Sequence, residues 1–314
     1  MKNATFKTTF EDLKISFRFA AKNIISYFLG IIGVLIVSGI LLALVAIVIF
    51  VPAMLVVGFE AFVVSMEAFG LSMAEPGTTV IVGLVLLLSP LIAPFLVAIG
   101  ALFGMGREIV ESAGTTASGV LTWYKRKFFS LAGAGIILFF VVIGPVLLVL
   151  LLGALIYGDA FFNFTFFTTM AYDPVMSVGM ALLTVWLVVS TGLFSMLFPA
   201  VIDGHSVIEA TKRSLRMSIK YFDRIFGYWI AFLLTIVALV VPVIIGAMLT
   251  GPTNIFAMGL IAAYAIPMGL IIAFVAVPAM SIGLTRIYMI LTADDVETYP
   301  EEEDDSRISF VGGL

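Results

Sequence analysis

Over residues 27–50 the chain carries no charged side chain and almost nothing polar. A bilayer core of ~30 Å is crossed by about 20 apolar helical residues. In lipid the backbone must satisfy its own hydrogen bonds, so a spanning segment is a helix or part of a closed barrel. Runs this long and this uniformly apolar are helices. Similar runs follow at 80–102, 130–156, 176–198 and 228–249. A last run, 255–291, is too long for one straight span; it is expected to enter near Tyr264 and bend at Pro267 or Pro278. The reading is an all-α polytopic membrane protein with six transmembrane helices.

Composition agrees: 62% of the residues are hydrophobic and 11% charged, against roughly 25% charged in soluble domains. The chain has no cysteine and one histidine. That excludes disulfides, thiolate metal sites and His-rich metal sites, and no cofactor pattern is present. The N-terminal stretch has charges where a signal peptide needs its apolar core, so no cleaved signal is expected.

The charges gather in three basic segments, each ahead of an apolar hairpin. In 199–229, Ile208, Leu215, Ile219, Phe222 and Phe226 recur at helical spacing, which predicts one inward-facing apolar side. Lys212, Arg213, Arg216, Lys220 and Arg224 fall on the other side, and Ser206-x-x-Glu209 reads as a capping box. Such a helix lies in the membrane interface or packs as a connector. Residues 8–28 repeat the pattern: Phe10, Leu13, Phe17, Ile24 and Phe28 oppose Lys14, Arg18 and Lys22, after Thr8-x-x-Glu11. Sliding by 198 residues superposes the two. A degraded third copy carries Lys125, Arg126 and Lys127, aligned by setting Lys127-Phe128-Phe129 against Lys220-Tyr221-Phe222. The expected organisation is a membrane domain, 1–293, of three repeat-like units, 8–102, 105–198 and 199–291. An acidic, flexible tail, 294–314, follows.

All 16 Lys and Arg lie in the N-terminal segment, the two internal basic segments, the end of the last span or the tail. Lys and Arg stay cytoplasmic, so both termini are expected inside the cell membrane, with Glu60, Glu67, Glu75, Asp159 and Asp173 outside. Asn163-Phe164-Thr165 then forms an external glycosylation sequon. The eleven basic residues from Lys14 to Arg224 named above are the expected contacts for anionic lipid headgroups, led by Arg213 and Arg216, because guanidinium pairs phosphate bidentately. The tail, ending Ile308-Ser309-Phe310-Val311, is the candidate docking element for a cytoplasmic or membrane protein partner. Nothing points to nucleic acid.

Catalytic chemistry is not legible. His205 stands between Asp203 and Ser206, but a triad needs groups that converge in space. The expectation is that Asp203 and Ser206 cap a helix while His205 faces water or headgroups. The first five apolar runs hold no ionisable group of the kind that marks a proton relay. Gly100-x-x-x-Gly104 marks close packing.

The segment Leu197-Phe198-Pro199-Ala200-Val201-Ile202-Asp203-Gly204, then Val207-Ile208-Glu209-Ala210 and Arg213-Ser214-Leu215-Arg216, resembles the membrane domain associated with glycerophosphoryl diester phosphodiesterases and its stand-alone prokaryotic relatives. The resemblance implies a polytopic membrane domain. It does not bring the phosphodiesterase activity, which belongs to a separate soluble domain. The expected function is non-enzymatic: organising lipid or recruiting a partner through a basic cytoplasmic face. The alternative is the permease-like membrane component of a transporter for a lipid or an uncharged solute.

Overall fold

The computed structural model describes residues 5–72, 78–112, 114–157, 174–250 and 255–298. Asn163, the loop around it and the acidic residues beyond Thr298 lie outside them. Every regular element among the described residues is helical: α1 (Phe6–Lys22), α2 (Ile24–Val57), α3 (Phe59–Ser72), α4 (Thr78–Ser112), α5 (Ala117–Arg126), α6 (Phe128–Val142), α7 (Gly144–Tyr157), α8 (Pro174–Leu193), α9 (Leu197–Asp203), α10 (Val207–Lys220), α11 (Phe222–Thr250), α12 (Ile255–Ile271) and α13 (Val277–Thr298). Among the described residues, five helical stretches are long and apolar enough to cross a membrane. The α6–α7 pair, bent by 45°, makes up to six.

The last apolar run, expected to bend at Pro267 or Pro278, instead continues as one helical stretch past both prolines, with a π-helical turn over Ile272–Ala276 between them. Residues 59–72, read as part of an external loop, form α3 after Gly58, whose φ of 89° ends α2. The acidic segment does not begin as a flexible tail, because α13 continues to Thr298.

Each basic helix meets the following apolar helix at a single non-helical residue: Asn23 (φ −108°, ψ 19°), Lys127 (−116°, 18°) and Tyr221 (−118°, 41°). Lys127 therefore pairs with Tyr221, one position away from the alignment made on charge. In that register the buried positions coincide: Ser16, Val120 and Ser214; Ala20, Tyr124 and Ser218; Tyr27, Leu131 and Ile225. The capping motif is not shared. Ser206 and Glu209 form the expected box, but α1 starts earlier, with Thr5 accepting from the Thr8 amide.

The core gathers where α4, α9 and α13 meet. Met105, Ile109, Leu197, Val201, Ile282 and Ile287 are fully buried there. A Cβ on Gly106 would stand 3.2 Å from the Ser281 carbonyl, so α4 and α13 approach backbone to backbone. The Gly100/Gly104 pair makes room for rings instead: Phe198 at Gly100 and the Trp123 indole at Gly104. Around this core α5 lies on α2 and α4, α10 lies on α6, α8 and α9, and α1 lies on α11 and α13.

Candidate anion-binding site

The most deeply buried positions of α1 and α10 are mainly small and polar, with Leu13, Phe17 and Leu215 half-buried beside them, whereas α5 buries Gly119, Val120 and Tyr124. Along α10 the buried positions are Ala210, Ser214, Met217 and Ser218. The Ser214 and Ser218 hydroxyls both donate to the Leu193 carbonyl at 2.9 Å, each contact contributing about 1 kcal/mol. Ile208 and Ile219, expected inside, are 65% and 67% exposed, and Phe222 is exposed too. Of that set Phe226 is buried and Leu215 is half-buried against the core. In α1 the buried stripe is Thr9, Asp12, Ser16 and Ala20, while Phe6 and Phe10 face out. Small residues allow close helix approach in lipid, where apolar side chains have no reason to turn inward.

This reorganises the basic residues. Lys14, Arg18, Lys22, Lys125, Arg126, Lys212, Arg216 and Lys220 are exposed, and Lys127 and Arg213 are half-buried. Arg224 does not belong with them. It is buried at the foot of α11 and donates through Nε (3.3 Å) and Nη2 (3.2 Å) to Asp12 Oδ2. Arg286 of α13 donates to the other oxygen of the same carboxylate. Arg286 is thus part of a triad that ties α1 to α11 and α13. A charge stranded in a low-dielectric core is costly, so Arg224 is buried because Asp12 is buried with it. A second anchor fixes α5. Glu108 accepts from the Trp123 indole at 2.9 Å and from the Thr115 hydroxyl at 2.6 Å.

The residues around His205 form the third cluster. Asp203 does not cap α10; Oδ1 accepts from Arg107 at 2.9 Å and Oδ2 from the Tyr288 hydroxyl at 3.0 Å. His205 faces Arg213, with Nη1 2.8 Å from Nε2. Arg213 also donates to the Thr292 hydroxyl at 3.4 Å and stacks over the Tyr288 ring, 5.6 Å from its centroid. His205, Glu209, Lys212, Arg213 and Arg216 together line a cavity of about 230 Å³. Glu209 stays ionised below the usual carboxylate range, because the Ser206 side chain and backbone amide both donate to it. Among the described residues no group of His, Asp and Glu is placed to hold a metal ion.

Of the residues expected to bind anions, the structure brings Lys212, Arg213 and Arg216 to one cavity. It leaves the α1 and α5 sets on their own helices and removes Arg224. Sequence reasoning missed Asp12, Tyr288 and Thr292. For Asp12 a signal existed: Thr9, Asp12, Ser16, Ala20, Asn23 and Tyr27 recur at three- and four-residue spacing and form a continuous small or polar stripe. No protein-family model matches the chain, and no curated protein or solved structure matches it significantly.

Proposed function

We propose that this protein is a non-enzymatic, multi-pass membrane protein that gathers anionic lipid at a basic cytoplasmic end, with both termini on that side. The observation that carries this reading is the three-sided character of α10. One side is small and buried, one is basic, and between them Ile208 and Ile219 stand exposed. A helix that keeps apolar and basic sides both outward fits the headgroup layer, with the apolar side toward acyl chains and the cations toward phosphates. The exposed Phe6 and Phe10 beside Lys14 and Arg18 of α1 fit the same layer.

Three units, 8–102, 105–198 and 199–291, are part of this proposal. Each basic helix rests on the long helices of the preceding unit, α5 on the first, α10 on the second and α1 on the third. That cyclic order favours a closed ring with its cations on one side. The resemblance to phosphodiesterase-associated membrane domains, carried by residues 197–216, is compatible with such a scaffold and supplies no catalytic residue.

The test is the double variant Arg213→Gln/Arg216→Gln, which leaves enough Lys and Arg to keep the orientation. Each basic residue near an anionic leaflet contributes about 1 kcal/mol. The double variant should therefore retain anionic lipid about thirtyfold less well in native mass spectrometry. Retention unchanged in a correctly inserted variant makes these residues topology signals only. Single-Cys labelling at positions 75, 163, 255 and 300 of this Cys-free chain tests the orientation; an impermeant reagent reaching position 300 in intact cells overturns it.

A further inference from the structure

The cavity beside α10 carries a charge that separates classes of phosphate, an inference that rests on the lipid-holding reading. Lys212, Arg213 and Arg216 bring three positive charges and Glu209 one negative. His205 is neutral in this arrangement: a guanidinium can only donate, so Nε2, 2.8 Å from Arg213 Nη1, must hold a lone pair. Asp203, 3.7 Å from His205, is not part of the lining; it is held by Arg107, which also pairs with Glu111, and by the Tyr288 hydroxyl. The lining side chains themselves carry two more positive charges than negative ones. A phosphodiester headgroup brings one negative charge, whereas a phosphomonoester brings about 1.5 to 2 at neutral pH together with three strong acceptor oxygens.

The cavity is built for such a group before it arrives. Arg213 is held by His205, Thr292 and the Tyr288 ring, so little freedom is lost when its remaining donors engage phosphate. The Glu209 carboxylate is engaged in the helix cap. Lys212 and Arg216 stand four residues apart on the same side, a like-charge pair that opposes helix formation unless an anion sits between them.

Size and surroundings identify the source of the phosphate. About 230 Å³ is below the 300–1,000 Å³ typical of sites that enclose a drug-sized ligand, and it suits a headgroup whose chains remain outside. Ile208 and Ile219, the first four residues before Lys212 and the second seven after it, share its side of α10 and are exposed. Acyl chains have a surface to lie on there. We propose that this cavity selects membrane lipids that end in a phosphomonoester, the chemical class of phosphatidic acid, over phosphodiester lipids.

The experiment uses the full-length protein in phosphatidylcholine nanodiscs containing phosphatidic acid or phosphatidylglycerol at equal mole fraction. Lipid retention is read by native mass spectrometry, with soluble glycerol 3-phosphate as competitor. Retention of phosphatidic acid about fivefold above phosphatidylglycerol is expected, the effect of one further charge near the interface. Arg216→Gln should erase that preference. Arg216 is exposed, so an unchanged melting temperature confirms that the variant is folded. Equal retention of the two lipids, with both lost in Arg213→Gln/Arg216→Gln, overturns the selectivity and leaves the lipid-holding reading standing. Retention of both that no variant alters overturns both. Displacement of phosphatidic acid by glycerol 3-phosphate at matched concentration overturns the lipid as the source of the phosphate.

Discussion

Replacing Asp12 with alanine tests how α1 is held. Asp12 is 3% exposed, and its carboxylate is shared by Arg224, itself buried, and Arg286, a quarter exposed. The substitution leaves two guanidiniums around a space that held their common counter-charge. Removing one partner of a buried ion pair costs about 3–5 kcal/mol. An unfolding entropy of about 2.1 cal/mol/K per residue, taken over 314 residues, converts this to a fall in Tm of about 5–8 °C. The assay is thermal unfolding of the purified protein, with Glu11→Ala on the exposed side of the same helix as control, expected to shift Tm by about 1 °C or less. Charge is distinguished from shape by the triple variant Asp12→Leu/Arg224→Met/Arg286→Met. Replacing a whole buried ion cluster with apolar groups of similar volume is often neutral or stabilising, so its Tm should return to within about 2 °C of the parent. The reasoning is refuted if Asp12→Ala melts with the parent protein, or if the triple variant falls as far as the single one.

Two further outcomes follow from packing and capping. Gly106→Ala, placed 3.2 Å from the Ser281 carbonyl, should cost about 1–3 kcal/mol. Gly39→Ala, with nothing within 4 Å, should be neutral or stabilising by up to about 1 kcal/mol; equal melting temperatures for the two would sink the close approach of α4 and α13. Glu209 titrates below its usual 4.5 because Ser206 donates to it, so the cap's contribution is fully present above that value and is lost as pH falls through the depressed one. Hydrogen exchange in the first turn of α10 should therefore be slow at pH 7 and faster at pH 3 after correction for intrinsic rates. Ser206→Ala should remove the difference, and a pH-independent first turn in the parent protein would show that the cap does not form.

Much of the architecture follows from the sequence because its cause is local. An uncharged run long enough to cross ~30 Å of hydrocarbon has to be helical whatever its neighbours. Ser206 and Glu209 satisfy each other within one turn. The bend expected at Pro267 or Pro278 does not form, and the helix passes both prolines with a π-helical turn between them. The orientation of the basic helices is different, since periodicity shows that α1 and α10 have sides but not which side is buried. In water the apolar side goes in; against lipid it gains little by doing so, and packing is decided by which side lets backbones approach and polar groups pair. Thus Ser214 and Ser218 are buried while Ile208 and Ile219 are exposed. Asp12 meets Arg224 across 212 residues of chain, and Arg213 is held by Tyr288 and Thr292 from α13. No local pattern encodes such pairings. They are fixed by the cost of burying a charge alone, and that cost exists only once the helices are packed.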